Sequence, residues 1–324
     1  MDIYYDYNQA RAEITKHAIE RSTDKNKKKY QLCVWDDGIA SQCKPITSPG
    51  SRTTRFACTD AATKETEEAV FTVRGVLVDT DLPPLAYRPR PQQLRHMRQS
   101  ITITGLGQSS FDSAVSSLYA LQPLLARTAP PGAMEKWQPG EYKNVVSLDI
   151  QNRYFTLRRY ADGAEKINFD DSVDPDGFLE DNNSRDLIHT EDNKVEYYAS
   201  ATAGAVKVSP STFRAGDIVE ASLSVEMTPV SNEKYKMILI LRSLALINST
   251  MTTDAETKRD IARFQITSQM TSTSLKRRRA YSPTPEGPPG GSSQRPIQKS
   301  RGTGDGAEAR LTADNGDRPM ESIE

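Results

Sequence analysis

The strongest pattern of hydrophobic and polar positions in this chain lies between Phe213 and Ile247. From Val219 to Met227 every second residue is apolar, which is typical of a half-buried strand whose polar side chains meet water. From Met237 to Ile247 apolar residues occupy both phases, so this segment is predicted to be a central strand covered on both faces. Pro229 to Lys234 would form the turn of the resulting hairpin.

Shorter patterned segments precede this hairpin. Val70 to Val78 and the segment that begins at Ser100 alternate and predict two further strands. The segment from Ser109 to Leu125 fits either a strand or a helix, and we favour a strand. The segments VVSLDI (145–150) and RYFTLRRY (153–160) predict a second hairpin with its turn at residues 151–152.

Helical patterns are weaker and lie on the two flanks of the strands. Asn8 to Glu20 predicts one weakly amphipathic helix, and Ala255 to Phe264 predicts a second. Small and polar residues dominate from Ser48 to Lys64, which is typical of a linker. Residues 1–65 are therefore predicted to be a poorly structured polar region with one weak helix.

Two segments interrupt the strands. Leu82 to Arg98 carries four prolines and four arginines, and because proline cannot sit in a central strand it is predicted to be a loop with a local basic character. The segment from Asp162 to Asp192 holds eleven acidic residues against two basic ones. Such a composition resists burial, so we expect an exposed and poorly ordered loop.

These elements predict a mainly β fold. Residues 66–250 would form a single antiparallel barrel or sandwich, with an OB-like barrel as one form, and the acidic loop at 162–192 as an insertion. Residues 251–324 are predicted to contain a short helix followed by a disordered tail. The hydrophobic fraction of 36% agrees with this, because globular chains usually reach roughly 45% or more.

Charge limits the kinds of partner. The formal net charge is −1, so the whole molecule has no basic field that would attract a polyanion. Lys64 to Thr250 holds 20 basic and 25 acidic residues, but without the acidic segment this part has a net charge of +4. Any nucleic-acid binding must therefore be local, and the acidic segment could mask it.

Candidate catalytic and metal-binding residues are scarce. The three cysteines, Cys33, Cys43 and Cys58, match neither zinc nor redox spacings, so reduced thiols are predicted. The three histidines lie far apart and in no nucleophile or metal motif. Ser172 to Asn183 resembles a calcium loop but has Ser172 and Asn183 at its first and last ligand positions. We therefore predict no enzyme activity, no cofactor and no metal.

The N-terminus has no apolar signal region, and no apolar run approaches the roughly 18 residues that a membrane helix needs. The protein is accordingly predicted to be soluble and intracellular, without a membrane partner.

Aromatic and basic residues interleave in RYFTLRRY. On one strand, Tyr154, Arg158 and Tyr160 would share a face, as in a platform on which the bases of a single strand stack. In the alternative interpretation, Phe155 and Leu157 fill the core and the arginines are solvated.

The segment SLKRRRAYSPTPEG near the C-terminus contains a compact basic cluster. Such a cluster in an unfolded segment is typical of a nuclear localisation signal, which an import receptor would bind; the alternative is a solvated basic patch. Phosphorylation at Ser282 or Thr284 would add negative charge beside the cluster and weaken that contact. The cluster consists of Lys276, Arg277, Arg278 and Arg279. The predicted location is the nucleus, with the cytoplasm as the alternative.

The segments VEYYA, FRAGDIVEASLSV and YKMILILRSLALI resemble a family of uncharacterised proteins that is numerous in mushroom-forming (basidiomycete) fungi. The resemblance covers residues 189–247 and, more loosely, residues 100–160. It implies a fungal protein of the nucleus or cytosol, and it transfers no catalytic or binding residues.

Three functional hypotheses follow. The first is a non-enzymatic nuclear module that binds single-stranded nucleic acid or chromatin. The second is a protein-interaction or scaffold module, in which the face of Val219 to Met227 or a free sheet edge accepts a partner. The third is an enzyme of unrecognised type, which the scattered histidines and cysteines disfavour.

Overall fold

The computed structural model describes residues 1–22, 31–34, 43–47, 53–59, 64–161, 163–183, 186–201 and 204–271. The chain divides into units of residues 1–273 and 274–324, and all described residues lie in the first unit. The helices are α1 (Tyr7–Ser22), α2 (Pro91–Leu94), α3 (Ser109–Ala126) and α4 (Thr250–Thr271). The strands are β1 (Cys43–Thr47), β2 (Thr54–Thr59), β3 (Thr66–Glu68), β4 (Val70–Asp81), β5 (Arg98–Thr104), β6 (Gly140–Tyr142), β7 (Val145–Arg153), β8 (Thr156–Leu157), β9 (Leu187–Ile188), β10 (Glu196–Ala201), β11 (Gly204–Lys207), β12 (Ile218–Pro229) and β13 (Tyr235–Asn248).

Within the described ranges, eleven strands form one large, mostly antiparallel sheet, and β8 and β9 form a separate pair. Five strands of the large sheet pair in a closed ring. β4 pairs with β5, β5 with β7, β13 with β12, and β12 with β4, all antiparallel. The ring closes where β7 and β13 run parallel, with Ile240 opposite Gln151. The predicted mainly β fold is thus confirmed in part, because the large sheet is accompanied by helices.

The remaining strands extend the sheet beyond the ring. The β1–β2 hairpin joins the outer side of β12, and β3 joins β2. On the other side, β10 pairs with β13 and β11 pairs with β10. The prediction of a linker over residues 48–64 is wrong for Thr54–Thr59, which forms β2.

The core lies inside the ring and beneath α3. Its buried side chains come from alternate positions of the strands, as the pleat requires. The segment of α3, for which we favoured a strand, is a helix. Its buried residues recur at spacings of three and four, which is the helical period. They are Phe111, Ala114, Val115, Leu118, Leu121 and Leu125.

The predicted β12–β13 hairpin is confirmed, but its burial is not as predicted. β12 is the more deeply buried strand, and Glu220 and Glu226, which lie at the polar positions of its alternating pattern, are buried as well. Arginines from neighbouring strands cover these positions: Arg74 Nε and Arg55 Nε each lie 2.7 Å from a carboxylate oxygen of Glu220 and Glu226, respectively. β13 instead has more half-buried than buried positions.

The predicted hairpin with a turn at residues 151–152 is wrong. β7 continues through Gln151 and Asn152 to Arg153. The Asn152 side-chain amide donates to the backbone oxygens of Asp192 and Leu241 at 2.9 and 3.0 Å. Asn152 therefore ties β7 to its neighbours, and does not form a turn.

The acidic segment is also better organised than predicted. Leu179 is fully buried, and the ring of Phe169 stacks on that of His189 with 3.9 Å between centroids. Asp174 accepts hydrogen bonds from two backbone N–H groups of the same segment, at residues 179 and 180. The hydrogen bond from Lys207 lowers the pKa of Asp170 to about 2. The prediction of a poorly ordered loop is therefore wrong for the described residues, because the carboxylates bond within the fold.

Both predicted flanking helices are confirmed as α1 and α4. They pack with the end of the barrel in a small apolar cluster of Tyr5, Ala10, Ile14, Val76, Leu106, Ile218, Met251 and Ala255. The Tyr5 hydroxyl donates to the Gly216 carbonyl at 2.7 Å. Among the described residues, no helix is long and apolar enough to cross a bilayer.

The prediction that all three cysteines are reduced is wrong. Cys43 and Cys58 form a disulfide, and Cys33 is free. The bonded cysteines face each other directly in the β1–β2 register, an arrangement that the spacing along the chain does not reveal. The disulfide therefore links the two strands of the β1–β2 hairpin covalently.

Candidate nucleic-acid interface

A cleft of about 450 Å³ lies at the barrel surface, beside the closure of β7 on β13. The β1–β2 hairpin forms one wall, and the segment that follows β7 forms the other. Ile238 and Ile240 of β13, together with Leu157, supply apolar surface between the walls. The volume falls within the range of roughly 300–1,000 Å³ that is usual for small-ligand sites.

Two arginines stand directly opposite each other at this cleft. Arg98 begins β5 and Arg153 ends β7, and the antiparallel register pairs them. Like charges in such a position repel. Burial, together with the charge of Arg153, lowers the pKa of Arg98. Within the described part of the chain neither arginine has an ion pair, so an anion between them would relieve the repulsion.

The other charged side chains that line the cleft, Arg55, Glu226 and Asp192, pair with one another and together carry a charge of −1. Arg55 donates to Glu226 and to Asp192, each at 2.7 Å. Burial acts to lower the pKa of Arg55, but the two carboxylates outweigh it and raise that pKa. Burial likewise acts to raise the pKa of Asp192, and the hydrogen bond and charge of Arg55 outweigh it and lower that pKa. The positive surplus of the cleft therefore resides on Arg98 and Arg153.

The predicted platform of Tyr154, Arg158 and Tyr160 on one strand face is wrong. The chain leaves β7 at Arg153 and turns into a 3₁₀-helix at Arg158–Tyr160. Tyr154 is only 1% exposed and packs in a cluster with Leu94, Phe155 and Leu179, so no base can reach its ring.

Tyr160 is the member of that set which borders the cleft. Its side chain is 43% exposed, and the Arg159 guanidinium lies 4.7 Å from the centroid of its ring. Arg158 is exposed in the same turn but does not line the cleft. Its role in binding stays a prediction. In agreement with the alternative interpretation, Phe155 is a core residue, whereas Leu157 is half-buried at the cleft.

The predicted basic loop is confirmed between β4 and β5, and α2 is a single helical turn within it. Leu94 of α2 is buried beside Tyr154 and anchors the loop. The loop leads directly into Arg98, and it carries Tyr87, which is 82% exposed. Tyr87 is therefore a second exposed ring, on the loop that leads to the cleft, although it does not itself line the cleft.

Sequence reasoning missed the pairing of Arg98 with Arg153. Each lies at the end of a segment that attracted notice for its arginines, but only the register between β5 and β7 brings them together. Tyr87 carried a weak signal as an aromatic residue in an arginine- and proline-rich loop. The predicted localisation cluster Lys276–Arg279 and the predicted phosphorylation sites Ser282 and Thr284 lie outside the described residues.

No group of three or more His, Cys, Asp or Glu side chains in the described ranges is arranged to hold a metal ion. Asp174, which lies within the calcium-like segment Ser172 to Asn183, accepts hydrogen bonds from backbone N–H groups through its carboxylate.

No family model matches the sequence, and no curated protein matches it. In the comparison with solved structures, the chain has a distant similarity to gp2.5, a single-stranded DNA binding protein encoded by bacteriophage T7. The similarity covers 56% of this chain and 92% of that chain, at 12% sequence identity and a TM-score of 0.29.

Proposed function

We propose that this protein is a non-enzymatic module that binds single-stranded nucleic acid in the cleft, with its backbone phosphate at Arg98 and Arg153. The observation that carries the proposal is the direct opposition of these two arginines without an ion pair among the described residues. Guanidinium groups bind phosphate, as they bind carboxylate, through paired N–H donors.

The position of the arginines in the barrel supports the same function. If β4, β5, β7, β12 and β13 are numbered one to five along the chain, the closed ring runs 1-2-3-5-4, which is the order of an OB-like barrel. OB barrels bind oligonucleotides on the face of strands two and three and on the loop between strands one and two. Here those elements are β5, β7 and the loop that carries Tyr87. This correspondence is a fold-level analogy, and the arginine pair supplies the chemistry.

A single strand suits the cleft better than a duplex. The two walls leave room for a small ligand, and the exposed rings of Tyr160 and Tyr87 offer stacking surfaces that only unpaired bases can use. The net charge of −1 excludes a general basic field, so binding should depend on these few residues.

Titration of fluorescently labelled single strands, followed by anisotropy at low and at physiological salt, tests the proposal. We expect binding that weakens as salt rises, because phosphate contacts release counterions. A duplex of the same length should bind at least about tenfold more weakly. Absence of salt-dependent binding, or equal binding of the duplex, would contradict the proposal.

We further propose that the protein works in the nucleus, where chromatin-associated single strands are available, and that Lys276–Arg279 binds an import receptor. The support is the basic cluster itself together with Ser282 and Thr284 beside it, whose phosphorylation would weaken the contact. Replacement of the four basic residues by alanine should move a fluorescent fusion of the full chain from the nucleus to the cytoplasm. Unchanged nuclear fluorescence would exclude this role. The resemblance to a basidiomycete family is compatible with this eukaryotic setting.

A scaffold function is the second candidate. The face of Val219–Met227 is buried, so it cannot take a partner, but all four residues of β11 are exposed. In the described chain β11 pairs with β10 alone, and an edge of this kind can accept a strand of another protein. This function predicts a partner whose capture survives nuclease treatment and is lost in Val206→Pro. Loss of capture after nuclease treatment would favour nucleic-acid binding instead.

A further inference from the structure

One side chain that lines the cleft makes no hydrogen bond within the described fold. Gln151 is half-buried on β7, two residues before Arg153 and therefore on the same face of the strand. It lies across from Ser100 on β5 and from Ile240 on β13. Within the described chain, its side-chain amide makes no hydrogen bond.

The other amides that line the cleft are already engaged. Asn152 donates to two backbone oxygens of neighbouring segments. The Asn193 side chain exchanges hydrogen bonds with Thr156 and accepts from Thr190. Gln151 is thus the lining amide whose donors and acceptor remain for a ligand.

We infer that the cleft holds one nucleobase of the bound strand beside Gln151, and that Gln151 reads the hydrogen-bonding edge of that base. The inference rests on the proposed function and names the ligand group that this site recognises. Ile238 and Ile240 supply apolar contact for the base, and Tyr160 supplies an aromatic surface at the rim.

The charges along β7 fix the orientation of this nucleotide. Arg153 lies two residues from Gln151, or about 7 Å along the strand, a separation that one nucleotide spans from phosphate to base. Asp149 lies two residues on the other side, where its carboxylate accepts from Thr102 and repels phosphate. The phosphate therefore lies at the arginine end and the base lies over Gln151.

The chemistry of a glutamine amide favours adenine. Its oxygen accepts from the N6 amino group of adenine while its nitrogen donates to N7, which gives two parallel hydrogen bonds. Cytosine and thymine present a neighbouring donor and acceptor only on the Watson–Crick edge, as N4 with N3 and as N3 with O4 or O2. Adenine presents them on the Watson–Crick edge (N6 with N1) as well as on the N7 edge, so it can pair with Gln151 in either orientation of its ring.

The test compares labelled (dA), (dC) and (dT) single strands of equal length with the full-length protein. Wild type should bind the adenine strand at least about twofold more tightly than the others, because adenine presents two suitable edges to Gln151 where the pyrimidines present one. In Gln151→Leu the three affinities should converge, while the slope of log K against log salt stays unchanged, because no phosphate contact is lost. Gln9→Leu, an exposed position on α1, is the matched control and should retain the preference.

Gln151→Asn is a second variant that keeps the amide but shortens it by one methylene, and it should also lose the adenine preference. Thermal melting confirms that each variant is folded. Binding without an adenine preference in wild type, or with the preference intact in Gln151→Leu, would overturn this inference and leave the proposed function standing. Absence of binding to all three strands would overturn both.

Discussion

Two buried ion pairs cover the polar phase of β12, and the pair between Arg74 and Glu220 is the deeper. Their side chains are only 16% and 8% exposed, and Arg74 Nε lies 2.7 Å from Glu220 Oε2. We expect Arg74→Met to lower the free energy of unfolding by roughly 3–5 kcal/mol, because it removes the guanidinium that offsets the charge of a buried carboxylate. Urea unfolding followed by circular dichroism measures this change.

The double variant Arg74→Met/Glu220→Met should recover most of the loss, since two apolar side chains carry no desolvation cost. Arg88→Met removes an ion pair with Asp181 in which both side chains are more than half exposed, and it should cost at most about 1 kcal/mol. A loss in Arg74→Met no larger than that in Arg88→Met would contradict the structural role of the buried pair.

The two arginine–glutamate pairs on β12 could not be predicted from the sequence. The alternation of Glu220 and Glu226 with apolar neighbours correctly predicts a strand, because the side-chain period of two is a local property. It wrongly predicts a wet polar face, because the covering arginines come from strands about 150 residues away in the chain. The opposition of Arg98 and Arg153 is hidden for the same reason.

The β1–β2 hairpin is joined to the barrel by a short stretch of strand pairing. Only two residue pairs, Glu226 with Arg55 and Met227 with Thr54, connect β2 to β12. The disulfide between Cys43 and Cys58 closes a segment with a sequence separation of 15, and a loop of this length is stabilised by roughly 3 kcal/mol in the chain-entropy model. We expect reduction by dithiothreitol to lower the unfolding free energy by about that amount.

Reduction should also weaken binding of single strands, because the hairpin forms one wall of the cleft. Cys43→Ser/Cys58→Ser should behave like the reduced protein under oxidising conditions, whereas Cys33→Ser should match wild type. Titration of three free thiols in oxidised wild-type protein, or a double variant as stable as that protein, would contradict the disulfide.

The elements themselves were predictable to differing degrees. The β12–β13 hairpin, β4 and both flanking helices carry local periodicity or turn signals that the structure confirms. The prediction for the segment of α3 was wrong because its apolar residues fit both the strand period and the helical period. Its packing against the sheet decides in favour of the helix. The predicted end of β7 was also wrong. Asn152 is a residue type common in turns, but here its side chain donates hydrogen bonds to two neighbouring segments.

For the whole molecule, His189 makes stability depend on pH. It is buried against Phe169, and its Nδ1–H donates to the Tyr154 carbonyl at 2.8 Å. Burial lowers its pKa from the usual value of about 6.5, so the unfolded chain binds a proton more readily than the folded one. The contribution of neutral His189 to the free energy of unfolding should therefore be complete above pH about 6.5. It should be lost as the pH is lowered through the folded pKa.

His189→Asn keeps an N–H donor but does not titrate, so its unfolding free energy should change less between pH 7 and pH 5 than that of wild type. Urea unfolding at a series of pH values measures both. Equal pH dependence in the two proteins would show that His189 does not control stability in this window.

Closure of the barrel is the whole-molecule property that the sequence alone left open. Strand patterns permitted a barrel or a sandwich, and the choice depends on a parallel contact between Gln151 and Ile240, far apart in the chain. That contact also assembles the cleft, so the candidate site could not be predicted before the fold. Only Tyr160 of the three predicted binding residues lies at the cleft.

The central claim is that phosphate binds at Arg98 and Arg153, and the salt dependence of single-strand binding tests it most directly. Each phosphate contact contributes about 0.7 to the slope of log K against log salt for single strands. Arg98→Gln/Arg153→Gln removes the contact with this one phosphate, so it should lower the magnitude of the slope by about 0.7 and weaken binding. Arg127→Gln/Lys136→Gln removes the same charge at two exposed positions outside the cleft and should leave the slope nearly unchanged. An equal effect of the two double variants, or no effect of the first, would contradict the claim.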